Sequence, residues 1–137
     1  MNRRRWFQAV WALPAGLFAV GVERVRGILE HDAEGEPVLR TRQGERIRLE
    51  GDDDTMKVLR DKRLAARELE VRGAGSGRGR FRAGPFYEEN VLVIEAGKGY
   101  LVTYWCDVCS IRSYTPGLCV CCYQETQLDL RPLDSPP

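Results

Sequence analysis

The sequence predicts a mainly β protein, in which a small barrel with one short helix is followed by a C-terminal hairpin that carries paired cysteines. Two observations lead to this fold class. Turn-forming residues recur about every eight to twelve residues between Val22 and Ile94, with short apolar or alternating runs between them, as in barrels and sandwiches. In addition, all five cysteines fall between positions 106 and 122. The chain length of 137 residues suits one ordinary globular domain.

The first predicted elements are a strand and a hairpin. The strand covers residues 22–29 and leads to a turn at residues 34–37. The hairpin has strands at residues 38–42 and 45–50. In its second strand apolar residues alternate with charged ones, so one face of the hairpin is expected to be buried and the other exposed.

A short helix and four further strands complete the predicted barrel and its continuation. Any of the residues Asp52–Asp54 can cap a helix over residues 55–60. The glycine-rich stretch 73–84 predicts a flexible hairpin tip that leads into a strand ending near Pro85. Further strands are predicted over residues 67–72, 91–94 and 100–105.

This order of elements resembles the small extracytoplasmic domains of bacteria that have an OB fold. The resemblance covers about residues 22–95. It implies a binding or structural module and not an enzyme, although such a fold by itself implies no ligand. The residues that carry the likeness are 27–29, 38–41, Gly44, 47–51, Leu59, Leu64 and 69–73.

Residues 1–21 have the pattern of a secretory signal peptide. Three arginines at residues 3–5 precede an uncharged run from Trp6 to Val20, and we expect cleavage after Gly21. The alternative is an uncleaved anchor through residues 6–22, which would be the only contact with a membrane. In both cases the folded part is expected outside the cytoplasm, either in the periplasm or secreted.

The charge balance argues against a partner recognised by bulk electrostatics. The whole chain carries 21 basic and 20 acidic residues. Loss of residues 1–21 removes three of the basic residues and none of the acidic ones, so the net charge changes from +1 to −2. Nucleic acid is therefore disfavoured as a partner. Arg78, Arg80 and Arg82 around Phe81 are read as a solvated strand edge, and binding of single-stranded nucleic acid or an oligosaccharide is kept as an alternative.

The cysteines are the residues with the most specific chemistry. Two C-x-x-C pairs bring four thiolates together in the pattern of a tetrahedral structural zinc site, and the turn at residues 114–117 would fold one pair onto the other. The segment resembles a compact zinc ribbon or knuckle. It departs from that pattern in its short gap of nine residues and in having Ser110 and Tyr123 where a small residue commonly follows. The predicted Zn²⁺ ligands are Cys106, Cys109, Cys119 and Cys122.

Three alternatives for the cysteines stay open. In an oxidising compartment the thiols can form disulfides. The pairs can also form an iron–sulfur or redox-active dithiol site, which would make the chain a thiol-based redox or electron-transfer protein. The fifth thiol, Cys121, can replace a ligand, pair with another molecule or lie buried.

The sequence therefore predicts an exported, non-enzymatic binding or structural module with a structural Zn²⁺ site. No catalytic set of residues can be assembled from its motifs. The partner is expected to be an unidentified protein or another component of the cell envelope. The predicted organisation is a signal peptide or anchor at 1–21, a barrel at 22–99, a strand and cysteine segment packed on it at 100–131, and a disordered tail at 132–137.

Overall fold

The computed structural model of the protein describes residues 22–133. The predicted signal peptide or anchor and residues 134–137 of the predicted tail lie outside the described residues. Within the described part of the chain, no helix is both long and apolar enough to cross a membrane.

Residues 22–133 form nine strands, two short α-helices and one 3₁₀ turn. The helices are α1 (Asp53–Leu59) and α2 (Tyr87–Asn90), and the 3₁₀ turn covers Lys62–Leu64. The strands are β1 (Glu23–His31), β2 (Pro37–Arg40), β3 (Arg46–Glu50), β4 (Glu68–Gly77), β5 (Arg80–Ala83), β6 (Val91–Glu95), β7 (Lys98–Cys106), β8 (Ile111–Ser113) and β9 (Gln127–Pro132).

Five strands close into a barrel in the order β1–β2–β3–β5–β4, with β4 pairing back onto β1. All of these pairs are antiparallel except β3–β5, which is parallel. The barrel closes because β1 is long enough to pair with β4 through residues 23–28 and with β2 through residues 28–31. The predicted mainly β class with a small barrel is confirmed.

The barrel interior is filled by the alternating apolar side chains that the sequence pattern indicated. Leu39 and Leu49 of the first hairpin are buried, as are Leu69 and Val71 of β4. Burial of a leucine or valine side chain contributes about 1.5–3 kcal/mol to folding. These side chains belong to one contiguous core that continues into β6 and β7.

The predicted short helix is present and begins where its cap was expected. The Asp52 side chain accepts a hydrogen bond of 2.9 Å from the backbone N–H of Thr55. Val58 and Leu59 are fully buried, so α1 covers the barrel core with one face. At the C-terminal end of α1, the Nε2 atom of His31 lies 2.8 Å from the carbonyl oxygen of Leu59. The only histidine of the chain therefore has a structural hydrogen-bond partner.

The glycine-rich stretch differs from its prediction. Instead of a flexible hairpin tip over residues 73–84, β4 continues to Gly77 and pairs with β5 across a turn at residues 78–79. The reason is that a β-ladder is made by backbone groups, which glycine supplies as well as any residue. The irregular register between Gly75 and Gly77 is a bulge of the kind that bends a barrel strand.

A second set of strands extends the sheet beyond the barrel. β6 pairs with β4 next to β1, and β7 pairs with β6. Both β8 and β9 pair with β7. The barrel and the C-terminal strands therefore share one hydrogen-bonded sheet, in which β7 connects the two parts.

Gly73 is the β4 residue that pairs with β1 and β5 at once, and a side chain has no room there. A Cβ atom added to it would overlap the carbonyl oxygen of Arg82. We expect Gly73→Ala to lower the free energy of unfolding by about 1–3 kcal/mol because β5 must move away. Chemical denaturation measures this change.

Gly75→Ala is the matched control for this substitution. Its added Cβ would meet only the carbonyl oxygen of Arg80, at 4.0 Å. The expected change is within about 0.5 kcal/mol. Equal losses from the two substitutions would show that close approach at Gly73 does not limit barrel closure.

Candidate metal centre

The first cysteine pair lies in the tight loop that joins β7 to β8. Cys106 is the last residue of β7, and the N–H of Cys109 donates to its Sγ at 3.4 Å. The N–H of Ser110 donates to the carbonyl oxygen of Cys106 at 2.8 Å. This loop turns the chain through a half circle, so both sulfurs of the pair lie on its inner side.

The second pair lies in a loop of the same construction between β8 and β9. The N–H of Cys121 donates to the Sγ of Cys119 at 3.4 Å, and the N–H of Tyr123 donates to the carbonyl oxygen of Cys119 at 2.9 Å. A β-bridge between Leu118 and Glu125 closes the base of the loop. We call residues 106–123, which contain both loops, the knuckle segment.

Each C-x-x-C pair is followed by a residue with a side chain, Ser110 or Tyr123, at the position where a small residue is common. Ser110 has φ = 54° and Tyr123 has φ = 59°, so both adopt the left-handed conformation that a glycine adopts most easily. This conformation costs a residue with a side chain roughly 1–2 kcal/mol. Both loops therefore have the same backbone turn after the second cysteine, although neither has a glycine there.

The two loops bring together the four predicted ligands. All four Sγ atoms lie within 4.8 Å of one another, and those of Cys106 and Cys122 are 3.6 Å apart. A tetrahedral zinc ion with Zn–S bonds of about 2.3 Å requires sulfurs about 3.8 Å apart. All five cysteines are unbridged. The donor atoms therefore fit one tetrahedral metal ion. The four residues of the cluster are Cys106, Cys109, Cys119 and Cys122.

Burial separates the fifth cysteine from the other four. Cys106 and Cys119 are buried, and their partners Cys109 and Cys122 are half-buried. Cys121 is exposed. It follows Val120 in the second loop and is not among the four residues whose sulfurs all lie within 4.8 Å of one another, although its thiol neighbours that of Cys109.

The electrostatics of the cluster favour one thiolate before the others. Backbone N–H groups of Cys122 and Cys121 lower the pKa of Cys119 to about 7. The neighbouring thiol of Cys121 and burial both raise the pKa of Cys109. Several thiolates this close together repel one another unless a cation lies between them, so the cluster suits a bound metal ion better than a set of free thiolates.

A hydrogen-bond network connects the barrel to the second loop. The guanidinium group of Arg63 donates to the carbonyl oxygen of Thr126 at 3.0 Å and forms an ion pair of 2.9 Å with Asp61. The hydroxyl of Tyr104 donates to the same carboxylate at 2.9 Å. Thr126 in turn donates through its hydroxyl to the carbonyl oxygen of Gly117. The network positions the loop against the barrel.

A second network fixes the first loop. Arg112 donates to the hydroxyl of Thr103 and to the carboxylate of Asp129, both at 2.7 Å. Its guanidinium group also lies 4.9 Å from the centre of the Trp105 ring, within the range of a cation–π interaction. Neither network is visible in the sequence. Arg63 and Thr126, for example, are 63 residues apart, and no local pattern links them.

The aromatic residues around the cysteines have different roles. Tyr104 is fully buried in the barrel core, and Trp105 is half-buried against Arg112. Tyr114 and Tyr123 are exposed. The two tyrosines of the knuckle segment are therefore accessible to solvent, unlike the aromatic side chains at the end of β7.

No family model, curated protein or solved structure matches this chain. The class of protein is therefore defined by its own geometry. It is a closed five-stranded β-barrel that continues into a segment with four clustered cysteines, which are able to hold a metal ion.

Asp61 gives the contact between barrel and second loop a pH dependence. Burial raises the pKa of this carboxyl, but the hydrogen bonds from Arg63 and Tyr104 outweigh burial and lower it. A carboxylate with a lowered folded-state pKa stabilises the fold above its unfolded-state pKa, near 4, and loses that contribution as the pH falls through the lower folded value.

We expect Asp61→Asn to lower the free energy of unfolding by about 1.5–3 kcal/mol at pH 7. The difference from the unmodified protein should shrink as the pH falls below about 4, where the unfolded-state carboxyl becomes protonated while the native carboxyl stays ionised down to its lower pKa. Asp53→Asn, at the exposed start of α1, should cost less than about 1 kcal/mol. Denaturation curves between pH 3 and pH 7 (a range set by these carboxyl pKa values) test the prediction; a pH-independent loss would contradict it.

Proposed function

We propose that this protein is an exported, non-enzymatic binding or structural module whose C-terminal segment is stabilised by one structural Zn²⁺ ion. The observation that carries the proposal is the approach of four Sγ atoms to within 4.8 Å of one another. The proposed ligands are Cys106, Cys109, Cys119 and Cys122.

A structural role follows from the number of protein ligands. Four thiolates fill the tetrahedral coordination of zinc and leave no position for water or substrate, whereas catalytic zinc keeps an open position. The knuckle segment also needs an added source of stability. After Cys106, which ends β7, its only strand is the three-residue β8. Cys106 and Cys119 are its only buried side chains. Metal binding would supply folding free energy there.

The barrel supports a binding role for the rest of the molecule. It is a closed five-stranded barrel, as the resemblance to OB-like domains implies. We propose an unidentified protein or another component of the envelope as the partner. The proposed export rests on residues 1–21, whose pattern is that of a signal peptide or anchor.

A thiol-based redox or electron-transfer protein is the second candidate. It is favoured by the pKa of Cys119 near 7, since a thiolate available at neutral pH is what redox chemistry requires. The same four sulfurs also suit iron. Iron would give the purified protein visible colour, whereas zinc would not.

Metal content and free-thiol count on protein recovered from its own compartment test the proposal. We expect about one zinc per chain, and four thiols that become reactive only after chelation. Iron in place of zinc would favour the redox candidate. No metal together with two disulfides would contradict both metal sites.

Two serine substitutions test the ligand set. Cys106→Ser should lose the metal and destabilise the knuckle segment, because the buried sulfur of Cys106 lies in the cluster. Cys121→Ser is the matched control, and it should keep the metal because its thiol is exposed and outside the cluster. Metal analysis and thermal unfolding measure both effects. Equal metal loss from the two variants would show that Cys121 is a ligand.

A further inference from the structure

Exposed apolar side chains are concentrated on the knuckle segment. Nine large apolar residues are exposed among the described residues, and six of them lie between positions 108 and 123. Val108 and Val120 are the most prominent, with 73% and 81% of their surface exposed. Concentrations of this kind mark interaction surfaces. The six residues, which we call the knuckle patch, are Val108, Ile111, Tyr114, Leu118, Val120 and Tyr123.

The knuckle segment is also poor in charge. Charged residues make up 30% of the whole chain, but residues 106–123 contain only Asp107 and Arg112. Both are engaged within the protein: Asp107 accepts a hydrogen bond from Gln127, and Arg112 forms an ion pair with Asp129. The patch therefore offers apolar and aromatic contacts with no free charge to steer a charged partner.

Val22, the first residue that the structure describes, lies at the same end of the sheet. Val71 of β4 pairs with Val25 of β1 on one side and with Val91 of β6 on the other. Because β1 and β7 run in opposite directions, the start of β1 near residue 22 and the end of β7 at Cys106 lie on the same side of this row of residues. The exposed Val22 follows directly on residues 6–20, which contain no charged residue.

We propose that the knuckle patch docks on the surface of a lipid bilayer. Val108 and Val120 lie within the two tight loops and are among the most exposed residues of the patch. The cavity that patch residues line, between Ile111, Leu118 and Val120, has a volume of only about 90 Å³, which is too small to seat a large peptide side chain. A fluid interface accommodates exposed side chains without a pocket, and the exposed tyrosines of the patch suit the headgroup region. The proposal deepens the proposed function, on which it rests, by naming the envelope component that the module contacts.

The balance of charge determines how this docking should behave. Because the patch has no cluster of lysines or arginines, apolar burial must supply the binding free energy, at about 25 cal/mol per Å² of surface removed from water. Contact should therefore be as good with zwitterionic phosphatidylcholine as with anionic lipid and insensitive to salt, unlike the contact of a polybasic surface.

Trp105 is a suitable probe of this contact because it adjoins Cys106 at the end of β7. The chain has two other tryptophans, Trp6 and Trp11. In a full-length Trp6→Phe/Trp11→Phe protein, Trp105 is the only tryptophan. We expect phosphatidylcholine nanodiscs with bromine-labelled acyl chains to quench its fluorescence. Val108→Asp/Val120→Asp should reduce this quenching at least about twofold, because charge is expelled from the apolar layer.

Leu133→Asp is the matched control, since Leu133 is exposed and its N–H donates to Gly99 at the opposite end of β7. It should leave the quenching unchanged. Metal content is measured on every variant, so that failure of the metal site is distinguished from failure of docking. If the aspartate pair loses metal, Val108→Ser/Val120→Ser replaces it.

Two results would overturn the proposal. One is the absence of quenching in the starting protein, or equal quenching with and without the knuckle substitutions. The other is a concentration-dependent doubling of mass that the same substitutions abolish, which would assign the patch to a second copy of the chain.

Discussion

The continuity of β7 is the constraint on which the rest of the structure depends. This strand pairs with β6 near its start, with β9 along most of its length and with β8 at its end. Val102 and Tyr104 are buried with the barrel core, and Cys106 follows at the end of the same strand. The position of the first cysteine of the cluster is therefore fixed by barrel packing.

The second loop depends on weaker constraints, which gives the metal its proposed role. It is held by one short bridge, by the contact of Arg63 with Thr126 and by the approach of its sulfurs to Cys106. It also contains Tyr123 in the left-handed conformation. A small segment with little core of its own needs a metal or a covalent link to stay folded. A metal ion bound by both loops would join the second loop to β7.

Local chemistry explains what could be predicted from the sequence. The C-x-x-C spacing identified the four clustered cysteines, and the aspartates before Thr55 identified the start of α1. Alternation identified the barrel strands, since a strand with one buried face repeats every two residues.

The features that were missed depend on partners distant in the chain. The glycine-rich end of β4 has no strand pattern of its own and is ordered by pairing with β5. In the sequence, Asp61 and Arg63 are two charged residues that follow a short helix. Their partners Tyr104 and Thr126 are distant in the chain and meet them only in the fold. Ser110 and Tyr123 were noted as departures from the knuckle pattern, but both adopt the left-handed conformation that a glycine adopts most easily, which a sequence pattern does not show.

The central claim is that four cysteine sulfurs bind one metal ion. X-ray absorption spectroscopy at the metal edge, on protein recovered from its own compartment, tests it most directly. The account predicts zinc surrounded by four sulfur atoms at about 2.3 Å and by no nitrogen or oxygen ligand. A coordination shell with fewer than four sulfurs, or metal-free protein whose sulfurs are bonded to one another at about 2.05 Å, would contradict it.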